Sequence, residues 1–151
     1  MAGHEFAGYT IIRELPPGGM TRLCVAIDRR QQRVVLRRLK IGYVQDRRTR
    51  HQFLRGAEIL ARLHHPNLVR LIKAGVFRDE PYIALEYIDA RNMSALIRSK
   101  SPLLYRNVLT MLRQMATALH YVHLAGYWHL DIKPENFIVR MHLAPVERFQ
   151  K

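Results

Sequence analysis

The chain has 151 residues, enough for one domain with a hydrophobic core, and 48% of them are hydrophobic while 25% are charged. This composition indicates a globular protein and excludes a disordered one. The 25 lysines and arginines exceed the 12 acidic residues and give a net charge of +13, which suits an acidic partner, an anionic membrane or nucleic acid. No five basic residues are consecutive and no aromatic residues interleave the basic clusters, so we do not expect nucleic acid binding.

The cysteine content and the apolar runs bear on the cellular compartment. The single cysteine, Cys24, excludes an internal disulfide and a four-cysteine metal site, and it favours a reducing compartment. Residues 1–6 lack the basic and then apolar pattern of a signal peptide, and no apolar run approaches membrane-spanning length. We therefore expect a cytoplasmic protein with no membrane segment.

The first predicted elements are two strands on either side of a glycine-containing turn. Residues 9–14 and 22–27 have strand composition, and residues 16–21 between them include Gly18 and Gly19. Glycine-rich turns allow backbone N–H groups to approach phosphates, because no side chain intervenes. A plain hairpin turn explains the same two glycines, so this stretch by itself leaves both interpretations open.

The middle of the chain predicts a strand, a helix, two strands, a short helix and a long helix. Their ranges are 33–40, 46–64, 68–77, 81–88, 92–100 and 103–125. In the long helix, apolar residues recur at spacings of three and four and form one stripe, which we call the long-helix stripe: Val108, Leu112, Met115, Leu119 and Val122. His120 and His123 have a spacing that can chelate a metal, but no third ligand lies nearby in sequence, so we do not expect a metal there.

The segment 127–139 carries the residues with the clearest chemical pattern. It places the carboxylate of Asp131, the amine of Lys133 and the amide of Asn136 in one short loop. This trio suits phosphoryl transfer to a hydroxyl. Asp131 would accept or orient the hydroxyl proton, Lys133 would steady the moving phosphate, and the Asn136 amide oxygen would hold a metal ion. A polar turn between two buried segments is the alternative.

The loop resembles the catalytic loop of protein kinases, H-R-D-x-x-x-x-N, and Lys-Pro-Glu-Asn at 133–136 is similar to the serine/threonine branch. The resemblance implies an α+β fold of the protein-kinase type. Residues 1–88 would form an N-lobe with a five-stranded antiparallel sheet and one helix, and residues 89–151 a hinge and a truncated helical C-lobe. It also implies ATP and magnesium as cofactors, bound weakly or not at all here, and a protein hydroxyl as substrate if the chain is active.

The same resemblance assigns nucleotide-binding positions elsewhere in the chain. Besides Asn136, they are Gly18 and Gly19 in the turn, Ala26 and Arg37 on strands, and the Glu86 carbonyl and Ile88 N–H at the hinge. Arg37 stands where the V-A-I-K motif has its lysine, whose family role is to hold the α and β phosphates. Lys40 is no ready substitute, because residues 37 and 40 point to opposite faces of a strand.

Several residues depart from the family pattern. Pro16 and Thr21 replace the first and third glycines of G-x-G-x-x-G, Gly56 replaces the glutamate that pairs with the V-A-I-K lysine, and Leu130 replaces the arginine before Asp131. Residues 137–151 contain no aspartate and no glycine, hence no D-F-G.

We therefore expect a kinase-like chain that is catalytically degenerate or truncated. Two alternatives remain: an active serine/threonine kinase completed by another chain, and a basic nucleic-acid-binding or scaffold module. We also expect the long-helix stripe to be exposed, because the family's supporting helices would be missing. It would then bind a protein partner or cause self-association.

Overall fold

Six strands in the first half of the chain pair into one antiparallel sheet. In this computed structural model, the described residues are 4–16 and 19–140. The strands occur in the order β1-β2-β3-β4-β6-β5 across the sheet. They are β1 (Glu5–Phe6), β2 (Tyr9–Glu14), β3 (Thr21–Ile27), β4 (Arg33–Leu39), β5 (Leu71–Phe77) and β6 (Glu80–Glu86).

The expectation of five strands was wrong by one, because β1 has only two residues and therefore shows no alternation in the sequence. The chain reverses at Ala7 and Gly8, which have φ angles of 53° and 85°, and β1 then pairs with the start of β2. Phe6 is buried and packs edge-on against Phe77 and Tyr82, with ring centroids 5.1 and 5.5 Å away. This long-range packing of one aromatic ring stabilises a strand that local sequence does not predict.

The two faces of the sheet differ in what they bury. Val34 and Leu36 of β4 lie in a hydrophobic core cluster, whereas Arg37, one residue further, is exposed on the opposite face. The strand register pairs Ala26 with Val34 and Leu23 with Arg37. Because paired residues share a face of a sheet, Ala26 belongs to the core face and Leu23 to the Arg37 face.

Two helices follow β4: the single turn α1 (Ile41–Val44), which the sequence did not predict, and α2 (Arg47–Arg62). Asp46 begins α2 as its N-cap, since its carboxylate accepts the Arg48 N–H at 3.0 Å and the Thr49 hydroxyl at 2.6 Å. Ala57 is the buried residue of α2, which packs against β5 and β6. The predicted helix 46–64 is therefore present with slightly shorter bounds.

The chain divides into two compact units, Met1–Tyr87 and Ile88–Lys151. The second unit contains β7 (Arg91–Asn92), α3 (Met93–Arg98), α4 (Pro102–Leu124), a single 3-10 turn (Pro134–Asn136) and β8 (Ile138–Val139). Strands β7 and β8 pair with each other. Asn92 caps α3 by accepting the Ala95 N–H at 2.8 Å, and Gly126, at a φ of 82°, follows α4.

Much of α4 is exposed within its unit. Val122 is buried, but Val108 and Leu112 of the long-helix stripe are 46% and 53% exposed, and Leu109 beside them is 78% exposed. The apolar spacing therefore predicted the helix, while only its C-terminal part is covered within the described residues. Across residues 4–16 and 19–140, no helix is both long enough and apolar enough to span a membrane.

Candidate active site

Asp131, Lys133 and Asn136 lie together in the loop after α4. Lys133 Nζ is 2.8 Å from Asp131 Oδ2. Asn136 Nδ2 donates to Asp131 Oδ2 at 3.0 Å and to the main-chain oxygen of Asp131 at 2.8 Å. The three residues that the sequence singled out thus share one cluster, with the carboxylate of Asp131 at its centre.

These contacts set the charge state of Asp131. The hydrogen bond from Lys133, followed by that from Asn136, lowers the pKa of the Asp131 carboxyl below its usual value, so the group is ionised at neutral pH. Both side-chain bonds end on Oδ2, and none of them involves Oδ1. The side chain is exposed, so Oδ1 can accept a hydrogen bond from a substrate hydroxyl.

The backbone of the loop is shaped by residues on both sides of Asp131. Its N–H donates to His129 Nδ1 at 3.3 Å, and Leu130 between them has a φ of 58°. Leucine in this left-handed region costs energy, and its side chain is 91% exposed, so no packing compensates within the described residues. Pro134 begins the 3-10 turn that brings Asn136 back over Asp131.

Arg37 and Thr21, two residues that depart from the kinase pattern, contact each other in the first unit. Arg37 Nε donates to the hydroxyl of Thr21 at 3.3 Å. Lys40 Nζ donates to the Gly19 carbonyl at 2.6 Å, so Lys40 tethers the turn rather than replacing Arg37. Sequence reasoning missed both bonds. The bond between Arg37 and Thr21 could have been inferred from the register of β3 and β4, which brings the start of β3 beside the end of β4.

The other assigned positions are in different environments. Gly18 lies outside the described residues, and Gly19 is exposed. Ala26 has no exposed surface and lies on the face opposite Arg37. Its side chain therefore points away from the Arg37 face, where the register of β3 and β4 places Leu23. The nucleotide-binding role of Ala26 stays a prediction.

The two hinge positions belong to different units. Glu86 ends β6, its N–H donates to the Arg70 carbonyl at 3.0 Å, and its carboxylate accepts the Arg70 N–H at 2.9 Å. Ile88 begins the second unit, and its carbonyl accepts the Ala90 N–H at 2.9 Å. The roles of the Glu86 carbonyl and the Ile88 N–H toward adenine stay predictions.

Gly56, where the family has the glutamate that pairs with the lysine, is exposed on α2. A Cβ placed there would meet no other heavy atom within 4 Å, so the position has room for a side chain but presents none. An ion pair from this position to Arg37 is therefore impossible in this sequence.

The described residues offer little to a magnesium ion. Asn136 uses its amide nitrogen on Asp131, which leaves one neutral oxygen, and Asp131 is already paired with Lys133. Across the described ranges, no group of three or more His, Cys, Asp or Glu side chains could hold a metal. Magnesium demands octahedral oxygen coordination, normally with one or two carboxylates plus substrate phosphates. These residues do not fit a resident magnesium site by themselves.

Comparison with known proteins places the chain in a family. Residues 9–145 match the protein kinase domain. The serine/threonine-protein kinase PknJ of Mycobacterium tuberculosis is 35% identical over 148 residues, and PrkC of Bacillus subtilis is 30% identical over 141 residues. The chain belongs to the protein kinase domain family, and its α+β architecture is the protein-kinase fold.

Solved structures give the same result. Crystal structures of the PknI kinase domain of M. tuberculosis are similar to this chain, with TM-scores of 0.77 and 0.79 at 29% and 28% identity. These matches cover 91% and 94% of this chain but 57% of the PknI chains. The chain also spans 25% of PknJ and 22% of PrkC, although the matches include 97% and 92% of its own length.

Proposed function

We propose that this chain is a serine/threonine-kinase-like module that keeps the hydroxyl-binding loop of a kinase but binds nucleotide weakly and transfers no phosphate by itself. The cluster of Asp131, Lys133 and Asn136 supports the proposed hydroxyl-binding loop. The changes at Thr21, Arg37 and Gly56 support the proposed loss of nucleotide binding and phosphate transfer. Its kinase relatives act on protein substrates, so a protein hydroxyl is the proposed ligand of the loop.

In the loop, the residues present can bind and orient a hydroxyl. Asp131 is held ionised by Lys133 and Asn136, which fix one carboxylate oxygen and leave the other facing solvent. A hydroxyl bound at Oδ1 would be oriented for reaction, and Asp131 would receive its proton late in the transfer. Lys133 would balance negative charge brought by a phosphate. No step is assigned to a metal, because these residues do not fit one alone.

On the nucleotide side, the departures weaken binding. Arg37 is hydrogen-bonded to Thr21, so engaging a phosphate would compete with a contact already made. Arginine also has a broader planar head than lysine and does not replace it at a tight site. With Gly56, no carboxylate from that position can orient Arg37. Positioning and charge neutralisation supply nearly all the catalysis of phosphoryl transfer, so these losses bear directly on rate.

A phosphotransfer assay tests the proposal. Purified chain is incubated with radiolabelled ATP, magnesium and a generic basic protein substrate, and we expect no incorporation above background. Asp131→Asn is the control, because it removes the proton acceptor and retains the shape. Incorporation that Asp131→Asn abolishes would refute the inactive assignment.

An active kinase completed by a further polypeptide is the second candidate, favoured by the intact cluster at Asp131. For this candidate, the assay is repeated with the remaining C-lobe of a bacterial relative such as PknJ supplied as a separate chain. Activity that requires both chains and Asp131 would support it. Continued absence of incorporation, with both chains folded by circular dichroism, would leave the first proposal in place.

A further inference from the structure

Helix α2 carries all but one of its basic side chains on a single face. At 3.6 residues per turn, five of them fall within an arc of about 100° around the helix axis. We call this set the basic face of α2: Arg47, Arg48, His51, Arg55 and Arg62. All five residues are exposed. The centre of the face lies about 130° around the helix from the buried Ala57, so the face is directed to solvent.

The basic face has few counter-charges in the part of the chain that the structure describes. No ion pair there involves any of its five side chains. Glu58 is the one acidic residue of α2, and the Asp46 carboxylate at the helix start is already occupied by its two capping bonds. The four arginines therefore keep their guanidinium donors available to a partner.

This arrangement is unfavourable for the helix itself. Arg47 and Arg48 lie in the first turn, where the helix dipole is positive and where α2 has no acidic residue. Arg47, His51 and Arg55 are spaced four residues apart, so like charges adjoin whenever His51 is protonated. Local helix stability therefore does not account for these residues, whereas binding of an anionic partner would.

The geometry of the basic face limits the kind of anion that fits it. The face is narrow and straight, roughly 22 Å from Arg47 to Arg62 at 1.5 Å per residue. Its permanent positive charges are all arginines, and a guanidinium binds a carboxylate through two parallel hydrogen bonds. The face includes no aromatic side chain on which a base could stack and no apolar one that could insert into a bilayer. A row of carboxylates along one protein segment matches it better than nucleic acid or a membrane.

We propose that the basic face of α2 docks an acidic segment of a partner protein that presents carboxylates along one side. Each arginine would gain a counter-charge, and the repulsion along α2 would fall. The face lies in the unit Met1–Tyr87, whereas the loop of Asp131 lies in the other unit. The inference therefore does not rest on the proposed function.

Fluorescence anisotropy of a labelled synthetic peptide with the 151-residue chain tests the proposal. The probe is a helix-forming peptide about 16 residues long, matched to the length of the face, with glutamates repeating every three and four residues. We expect the parent to bind it, with an affinity that falls as salt is added. Arg48→Glu with Arg55→Glu should weaken binding about tenfold, because two attractions become two repulsions.

Arg22→Glu with Arg30→Glu is the matched control. It also changes the net charge from +13 to +9 (13 − 4), at exposed positions outside α2. It should change the affinity by less than about twofold, because distant charges are screened. The variant at Arg48 and Arg55 should unfold at no lower urea concentration than the parent, since glutamate suits the start of a helix. If it does not fold, Arg48→Gln with Arg55→Gln replaces it and should weaken binding about threefold.

Equal weakening by the α2 variant and the control would overturn the inference, because net charge alone would then attract the peptide. A folded parent that does not bind the peptide at low salt would overturn it too. Tighter binding to a DNA duplex or to vesicles containing phosphatidylserine, at equal salt, would overturn the assignment of an acidic protein segment. None of these measurements involves ATP, so failure of this inference is distinguishable from failure of the proposed function.

Discussion

At the scale of single residues, the sheet contains one ionic interaction of unusual burial. Arg38 Nε and Nη2 each donate to one oxygen of Glu80 at 2.8 Å, and the two side chains are 11% and 13% exposed. The Arg38 guanidinium also lies over the Phe6 ring, 3.7 Å from its centroid. The two partners were removed from water together, so each depends on the other to remain charged.

Removing one partner should therefore be costly. We expect Arg38→Met to lower the free energy of unfolding by about 3–5 kcal/mol, because Glu80 would be left buried without a counter-charge. Arg38→Met with Glu80→Met should recover much of that loss. Urea unfolding measures both, with Arg22→Met, an exposed change on β3, as the control. Equal destabilisation by Arg22→Met and Arg38→Met would show that the pair has no special role.

The turn between β5 and β6 has backbone strain that a substitution can relieve. Arg78 and Asp79 have φ angles of 49° and 65°, and the Asp79 carbonyl accepts a hydrogen bond from Arg50 Nη1 at 2.7 Å. Hairpin turns with two positive φ angles favour glycine at the second position.

Asp79→Gly should accordingly raise the free energy of unfolding by roughly 0.5–1 kcal/mol. This is the energy gained by relieving the backbone strain, reduced by the greater conformational entropy of glycine in the unfolded chain. The bond from Arg50 uses the backbone and should survive. Thermal unfolding is the measurement, and Asp79→Ala is the control that keeps the strain. A glycine variant no more stable than the alanine variant would contradict this account.

At the scale of elements, the start of α2 depends on the charge of Asp46. The Thr49 hydroxyl, followed by the Arg48 N–H, lowers the pKa of Asp46. A group whose pKa is lower in the folded state contributes stability that is fully present above its unfolded pKa, about 3.9 for aspartate. That contribution to stability is lost as the pH falls through the lowered pKa of Asp46 in the folded state.

Asp46→Asn should keep a capping oxygen but remove this pH dependence. We expect the stability difference between the parent and Asp46→Asn to shrink as pH falls from 5 to 2, measured by urea unfolding at each pH. Glu58→Gln, an exposed change in the middle of α2, controls for removal of a charge. A parent and Asp46→Asn variant with parallel pH profiles would contradict the assigned role of the carboxylate.

The exposed part of α4 is the second feature at this scale. Val108, Leu109 and Leu112 present adjoining apolar surface, and contiguous apolar patches favour association. We expect the purified chain to be oligomeric or to be cut by protease after residue 88. Leu109→Lys with Leu112→Lys should increase the monomer fraction in light scattering.

Thr110→Lys with Gln114→Lys adds the same charge at exposed positions outside the long-helix stripe, and it should leave the association unchanged. A parent chain that is a monodisperse monomer and resists protease through Val139 would contradict the prediction. It would mean that the stripe is satisfied within the chain.

At the scale of the whole molecule, the proposed loss of nucleotide binding can be tested by reversal. Arg37→Lys with Gly56→Glu restores both residues of the family's ion pair, and the free space around Gly56 admits the new side chain. We expect calorimetry to detect little ATP·magnesium binding by the parent and tighter binding by the double variant. Each single variant is the control, because either alone leaves the pair incomplete. Magnesium-dependent micromolar binding by the parent would contradict the proposal.

The sequence by itself determined which residues can be chemically active and where most elements lie. The spacing of Asp131, Lys133 and Asn136 predicted one cluster, and in the structure Lys133 Nζ and Asn136 Nδ2 lie 2.8 and 3.0 Å from Asp131 Oδ2. Apolar periodicity predicted α2 and α4 nearly to their ends, because a helix repeats within a few residues. These are local properties, and local sequence is sufficient for them.

The tertiary structure decided everything that depends on distant partners. Strand β1 exists because Phe6 packs on Phe77 and Tyr82, more than 70 positions away in sequence. The burial of Ala26 and the bond between Arg37 and Thr21 follow from strand register, which alignment to a motif does not contain. The attachment of the catalytic loop to α3 has the same origin: the hydrogen bond from the Met93 N–H to the Phe137 carbonyl joins residues 44 positions apart and forms only when the chain folds.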